Sequence, residues 1–289
     1  MNFVLIADAL LKQEPFGGGE LNNDELCKIL RSQGHTVIEI NSGFVTLEFI
    51  EKHIPDHKFI IGNFLALRPE VLDGIGRAAK YVIYEHDHKY LRNRNPAMFK
   101  DFVAPAEEKI FQNFYKAAQA VLCQSQLHKY IVEKNLGLNN IHSLSGNLWT
   151  EETLNYIEDL SHNEKSDSYS IMESLILHKN TGGAVQFCRL KKYPYEVIPP
   201  CEYGEFLTKL SKNKALVFFP QTPETLSRIA VEARMLGCQV ITNNLIGAAS
   251  EQWFKLGGKD LIDMMRSKRK EIPETILKIF SNEDNLNSS

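Results

Sequence analysis

The chain has 289 residues, 43% hydrophobic and 24% charged, a balance that supports a buried core and argues against disorder. A net charge of −3 gives no global attraction for nucleic acid or anionic lipid, so either contact would need a local patch. Five scattered cysteines without a CxxC pair read as reduced core thiols, not as a disulfide framework or a zinc site.

The opening segment MNFVLIADALL lacks a basic n-region and is interrupted by Asp8, so it reads as a buried strand rather than a signal peptide. No segment reaches the ~18 apolar residues of a membrane span, and the chain is expected to be soluble and cytoplasmic. Apolar runs over residues 3–7, 36–40, 59–61, 81–84 and 120–123 predict strands. Helical patterns over 20–32, 69–79 and 107–117 lie between them. Ser125 is placed as the N-cap of a helix over 126–135 that Gly137 closes. A polar, turn-forming stretch then predicts a linker near 150–168.

The alternation resumes with strands over 170–177, 195–198, 215–219 and 239–242 and helices over 181–190, 203–211 and 223–236. The tail from Glu283 on is expected to fray. The expected fold class is α/β: two Rossmann-like domains, residues 1–150 and 151–289, facing a cleft. Ligands in such sheets sit at the carboxyl ends of the strands.

The strand over 215–219 runs toward Thr222, a good N-cap, and Pro223, favoured at the first helical position. This places Glu224 in a first helical turn and Glu232 eight residues on, about 12 Å higher and roughly 80° around. That is about the span of a nucleoside diphosphate sugar from ribose to hexose. The helix N-terminus offers N–H groups to the diphosphate, so Thr225, Leu226 and Ser227 are assigned to the donor. Spacing alone fits a solvated helix face equally well. The whole string PETLSRIAVEARMLGCQVIT, however, resembles the E-x7-E signature of family 4 glycosyltransferases, which reads like PEGFGLVALEAMALGCPVI. Gly237 matches the glycine that closes the helix.

Other segments follow the same family order. FGGGEL at 16–21, with RSQGHTV behind it, is similar to the family's GGAE…RGHEV opening, and Gly17, Gly18 and Gly19 permit close backbone approach to a ligand. Glu20 is placed on the acceptor side. EHDHK at 85–89 ends a strand. Alternate residues of a strand face opposite ways, which suits a metal poorly. The resemblance makes it the strand-end "HD" segment, with His86 and Asp87 on the transferred sugar and Glu85 or His88 orienting them. In LILHKNTG, Lys179 fits the lysine that neutralises the diphosphate, whereas Glu173 and Ser174 stand where the family has an arginine. KYLRNRNPAMFK at 89–100 interleaves cations with aromatics. His88, Lys89, Arg92 and Arg94 are assigned to an acceptor that carries phosphate, with a solvated loop as the other reading.

The resemblance thus implies a retaining transferase that needs no metal and no cofactor beyond a nucleotide-sugar co-substrate, UDP-sugar favoured. Its catalytic groups would be His86, Asp87, Lys179 and Glu224, with Glu232 on the ribose. The acceptor would be a glycan, a lipid-linked sugar, or a hydroxymethylated DNA base, as in bacteriophage DNA glycosyltransferases. A nucleotide-sugar 2-epimerase on the same fold and a non-catalytic binding module are the alternatives.

Overall fold

Parallel strands buried on both faces need continuous apolar runs, which VLIA, FII, YVIY and AVLC supply. The computed structural model describes residues 1–10 and 17–286. Phe16 of the glycine turn and residues 287–289 of the tail lie outside them. The chain divides into two units. The first comprises Met1–Gln124, Lys129–Leu148 and Lys268–Ser289; the second comprises Ser125–His128 and Trp149–Ser267.

The first unit contains β1 (Asn2–Ala7), α1 (Gly18–Ser32), β2 (Thr36–Asn41), α2 (Leu47–His53), β3 (His57–Ile61) and α3 (Pro69–Ala78). There follow β4 (Tyr81–Tyr84), α4 (Gln112–Ala117), β5 (Ala120–Cys123), α5 (Gln126–Leu136) from Lys129 on, and β6 (Ile141–Ser143). Its six parallel strands run in the order β2-β1-β3-β4-β5-β6. Successive side chains alternate between faces. Val4, Ile6, Ile61 and Ile83 pack with Val71, Ile75 and Phe114 on one face. Phe3, Leu5, Ile60 and Val82 pack with Leu26, Leu30 and Phe280 on the other.

The second unit contains α6 (Glu151–Ser161), β7 (Ser166–Met172), α7 (Thr181–Lys191), β8 (Tyr195–Ile198) and α8 (Tyr203–Ser211). It continues with β9 (Asn213–Phe218), α9 (Arg228–Met235), β10 (Gln239–Thr242) and the start of α10 (Gly258–Leu286). Its four parallel strands run β10-β9-β7-β8. In both sheets the chain reverses its direction of strand addition once, between β1 and β3 and between β7 and β9. Each reversal opens a crevice at the strand ends where α/β proteins bind ligands.

Four expectations need correction. Residues 150–168 are not a linker: Thr150 caps α6 by accepting the Thr153 N–H at 3.0 Å, and the helix buries Leu154 and Ile157. The helix expected over 107–117 begins only at Gln112, because the preceding segment pairs with residues 90–92. Arg92 donates to Glu108 O at 3.0 Å and Ile110 to Tyr90 O at 2.8 Å. The strand expected over 170–177 is shifted to β7, and a turn follows in which the Lys179 N–H reaches Ile176 O at 2.9 Å.

The fourth correction touches the site. Thr222 and Pro223 do not open a helix, and Glu224 is not in a first turn; α9 begins at Arg228. Glu224 instead bridges to Ile246, and the backbone of 224–226 bonds to 245–248. Glu224 donates to Leu245 O at 2.8 Å, Gly247 to Glu224 O at 2.9 Å, and Ala248 to Leu226 O at 2.9 Å. Gly247 permits this approach, since a Cβ there would lie 2.2 Å from Thr225 O. Ser227 then turns the chain into the helix through the left-handed region, φ 74°. Among the described residues no helix is long and apolar enough to cross a membrane.

Candidate functional site

The two strands that flank the switch point of the second sheet deliver one charged side chain each. Lys179 follows β7 and Glu224 follows β9, and Lys179 Nζ lies 2.8 and 2.9 Å from the two carboxylate oxygens of Glu224. The ring of Phe218 lies under the same ammonium at 5.8 Å. Asn180, left-handed at φ 57°, fixes the loop: its carbonyl accepts the Gly183 N–H and its amide donates to Phe219 O at 2.9 Å. The Gln221 N–H reaches His178 O at 2.8 Å, so the β7 and β9 loops are tied together. Sequence reading named both residues but not their pairing, which depends on β7 and β9 being neighbours.

One turn into α9, Glu232 is nearly enclosed, at 3% exposure. Its Oε1 accepts from Trp149 Nε1 at 2.9 Å and from the Tyr203 hydroxyl at 2.6 Å. Arg228 Nε stands 3.6 Å from the same oxygen, and its guanidinium stacks on the Trp149 ring at 4.2 Å. Burial, and next the Glu232 charge, push the Tyr203 hydroxyl pKa up, so it stays a donor. Trp149, Tyr203 and Arg228 were all missed in the sequence. Only Arg228 left a signal there, as the cation four residues before Glu232 on one helix face. Thr225, Leu226 and Ser227 form the turn between the two glutamates.

In the first unit, His86 leaves the carboxyl end of β4 and stacks on Tyr84, ring centroids 4.6 Å apart. Its Nε2 lies 2.7 Å from Asn23 Oδ1 and its Nδ1 lies 2.5 Å from Gln124 Nε2. A carbonyl on one side and an amide donor on the other select the neutral Nε2–H tautomer. Burial, with the Lys89 charge second, lowers the ring pKa to about 3. Gly19 faces this ring, a Cβ there falling 3.4 Å from its Cγ, and Gly62 makes room for Asn23. Asn23 and Gln124 were not foreseen: Asn23 lies in the second turn of α1 and Gln124 just past the end of β5.

The neighbours of His86 divide sharply. Asp87 is paired with Arg94 at 3.2 Å near the surface. Glu85 and Lys89 are fully buried and paired with each other, and the Tyr115 hydroxyl donates to the second Glu85 oxygen. Burial raises the Glu85 pKa, opposed by Lys89 and Tyr115. His88 is also buried, 3.0 Å from the Tyr90 hydroxyl. His88 and Lys89, expected to meet an acceptor, are thus enclosed in the core behind His86. Glu20 accepts the Gly17 N–H at 2.7 Å and so closes the amino end of α1. Gly18 opens that helix, and Arg92 is exposed beside Glu107 O at 3.5 Å. Among the described residues no three His, Cys, Asp or Glu side chains are grouped to hold a metal ion.

No family model and no curated protein matches the chain. Solved structures do. The chain is similar to Anabaena HepE in complex with UDP and glucose, at 13% identity and TM-score 0.55, over 95% of this chain and 90% of that one. It is similar to an alpha-glucosyltransferase in complex with UDP and a 13-mer DNA, at 11% identity and TM-score 0.53, over 94% and 89%. AviGT4, a glycosyltransferase involved in Avilamycin A biosynthesis, matches at 12% identity and TM-score 0.52, over 96% and 92%. At such low identity the likeness speaks for architecture, and the chain has the GT-B fold of two Rossmann-like α/β units.

Proposed function

We propose that the chain is a retaining, metal-independent glycosyltransferase that moves a sugar from a UDP-sugar to an acceptor hydroxyl. One observation carries the reading: Lys179 and Glu224 meet at the switch point of the second sheet, beside the amino end of α9. A diphosphate placed there would take Lys179 from Glu224 and receive helix N–H groups, which favour an anion. Glu224, released, would hold sugar hydroxyls and position the hexose. Charge that develops on the departing diphosphate is then met by preorganised donors, the term that most lowers such barriers. Retention and metal independence rest on the resemblance of the E-x7-E segment, and no covalent nucleophile is assigned.

His86 and Asp87 are assigned to the sugar in this reading, His86 as a neutral hydrogen-bonding ring. Gly17, Gly18 and Gly19 are assigned to the donor, Gly19 facing the His86 ring, and Glu232 serves the ribose. Glu85, His88 and Lys89 hold this segment from behind. Arg92 and Arg94 remain the acceptor-side cations, with hydroxymethylated DNA as one acceptor class beside glycans and lipid-linked sugars. The fold shared with a DNA-bound alpha-glucosyltransferase supports including it.

A melting screen with UDP-, GDP- and ADP-sugars tests the donor. A ligand at 100 times its Kd stabilises by about 2.7 kcal/mol, so UDP-glucose or a related UDP-sugar should raise the Tm by several degrees. No shift with any of them would end the proposal. Transfer should persist in EDTA and conserve the anomeric configuration of the donor.

A further inference from the structure

Two hollows join along one face of the first unit. One of about 730 Å³ lies between α3 and the start of α4, and one of about 410 Å³ continues it from Ala117 to the amino ends of β4, β5 and β6. Arg77 and Lys109 line the first and Lys80 and Lys116 the second, with Asp73 the one acid among the described residues that line either. Four cations against one acid is a local concentration of charge in a chain whose net charge is −3. We propose that this groove is a nucleic-acid track, in which the four cations meet backbone phosphates of a DNA acceptor. The inference deepens the acceptor reading above, on which it rests.

The spread of the charges speaks for a strand. Lys109 precedes α4 and Lys116 lies in its last turn, so at least about 6 Å of helix separates them. Cations at that spacing suit phosphates repeated along a strand, one per about 3.4 Å of axis, better than a single phosphate. Asp73 does not neutralise the groove: it meets Arg77 only at 3.7 Å, with both side chains mostly exposed, where water screens the attraction. The groove also carries a ring. Phe111 lines the first hollow with its backbone in the left-handed region, φ 54°, a conformation that is costly for a bulky residue. Rings among cations suit nucleic acid, whose bases have apolar faces, over an acidic peptide. The groove also adjoins the segment assigned to the acceptor. Leu91 bridges Lys109 in antiparallel register, and the Arg92 N–H reaches Glu108 O at 3.0 Å.

Hydroxymethylated duplex, titrated at several salt concentrations, tests the assignment. Lys109→Gln and Lys116→Gln should each flatten the salt dependence of binding by about one unit of slope per lost phosphate contact, and the double variant by about two. Lys270→Gln removes an exposed cation of α10 outside the groove and should leave the slope alone. Unliganded melting temperatures and UDP affinity should stay as in the wild type. An unchanged slope in both groove variants overturns the proposal while duplex binding itself keeps the acceptor reading. The same flattening in Lys270→Gln marks a general charge effect and also overturns it. Equal affinity for poly-glutamate and duplex would give the groove to an acidic protein segment instead. A wild type that binds UDP but no duplex even at ~50 mM salt ends the track and leaves the donor reading standing. Groove-dependent duplex binding without UDP binding keeps the track and sinks the donor reading.

Discussion

Two of the chain's lysine–glutamate pairs, one in each unit, are given opposite uses by their surroundings. Lys89 and Glu85 are both 0% exposed, braced by the Tyr115 hydroxyl and by the Phe64 ring under Lys89 at 5.7 Å. Lys179 and Glu224 keep 23% and 16% exposure at a strand-end crevice. Desolvated charges depend wholly on each other, because removing one leaves the other in a low dielectric. The enclosed pair therefore cannot trade a partner for a ligand, and it fixes the segment carrying His86 and Asp87. In the proposed reading the half-open pair exchanges carboxylate for phosphate, with water present to ease the step. Identical chemistry makes a brace in one place and a socket in the other.

The largest expected effect tests the brace. Lys89→Met strands a buried carboxylate and should destabilise the protein by about 3–5 kcal/mol in chemical denaturation. Lys179→Met should cost no more than about 1 kcal/mol. Similar losses in the two variants would dissolve the distinction.

Next in size is the socket. Lys179→Ala should weaken UDP binding by about 1.5–3 kcal/mol, ten- to a hundredfold, measured by calorimetry. Glu224→Ala should spare UDP affinity, since it removes the competitor for Lys179, yet depress turnover. Equal loss of UDP binding in both variants would refute the exchange.

A pH titration sharpens the comparison from the first unit. Burial and then Lys89 hold the His86 pKa near 3, against an ordinary value of 6.5. With the folded value depressed, the unfolded chain takes up the proton first. The contribution of His86 to stability is thus complete above about pH 6.5 and is lost as pH falls toward 3. Wild-type stability should therefore drop more steeply between about pH 7 and pH 4 than that of His86→Gln, followed by denaturant unfolding. Parallel profiles would mean that the ring is not held neutral.

Much of this architecture was legible locally. The strands over 81–84, 120–123, 195–198 and 239–242 and the helix over 203–211 stand where their apolar periods put them. What failed had a non-local cause. The start of α9 could not be read from Thr222 and Pro223, because residues 245–248 take up the backbone of 224–226. Lys89 looked like a loop cation because nothing near it announces that Tyr115 and Phe64 will close over it. The Lys179–Glu224 contact joins residues 45 apart through a strand adjacency that no local pattern encodes. The residues themselves were named through the resemblance of their segments to family 4 glycosyltransferases. Their partners were not.

The smallest effect concerns a third pair, which extends the series to the open surface. Arg94 and Asp87 are 54% and 34% exposed at 3.2 Å, where water screens most of the attraction. Arg94→Ala should change stability by no more than about 0.5 kcal/mol. Its position in a tight turn, φ 54° with its N–H on Leu91 O at 3.1 Å, is as strained for alanine as for arginine, so the backbone cost cancels. If the acceptor is DNA, the same cation matters elsewhere: Arg92→Ala and Arg94→Ala should each flatten the salt dependence of duplex binding by about one unit of slope per lost phosphate contact. Stability and salt slope then separate cleanly in one variant, the first unmoved and the second reduced. Hydroxymethylated duplex that fails to bind even at ~50 mM salt, where electrostatic affinity is greatest, would remove DNA from the acceptor classes and leave Arg94 a solvated partner of Asp87.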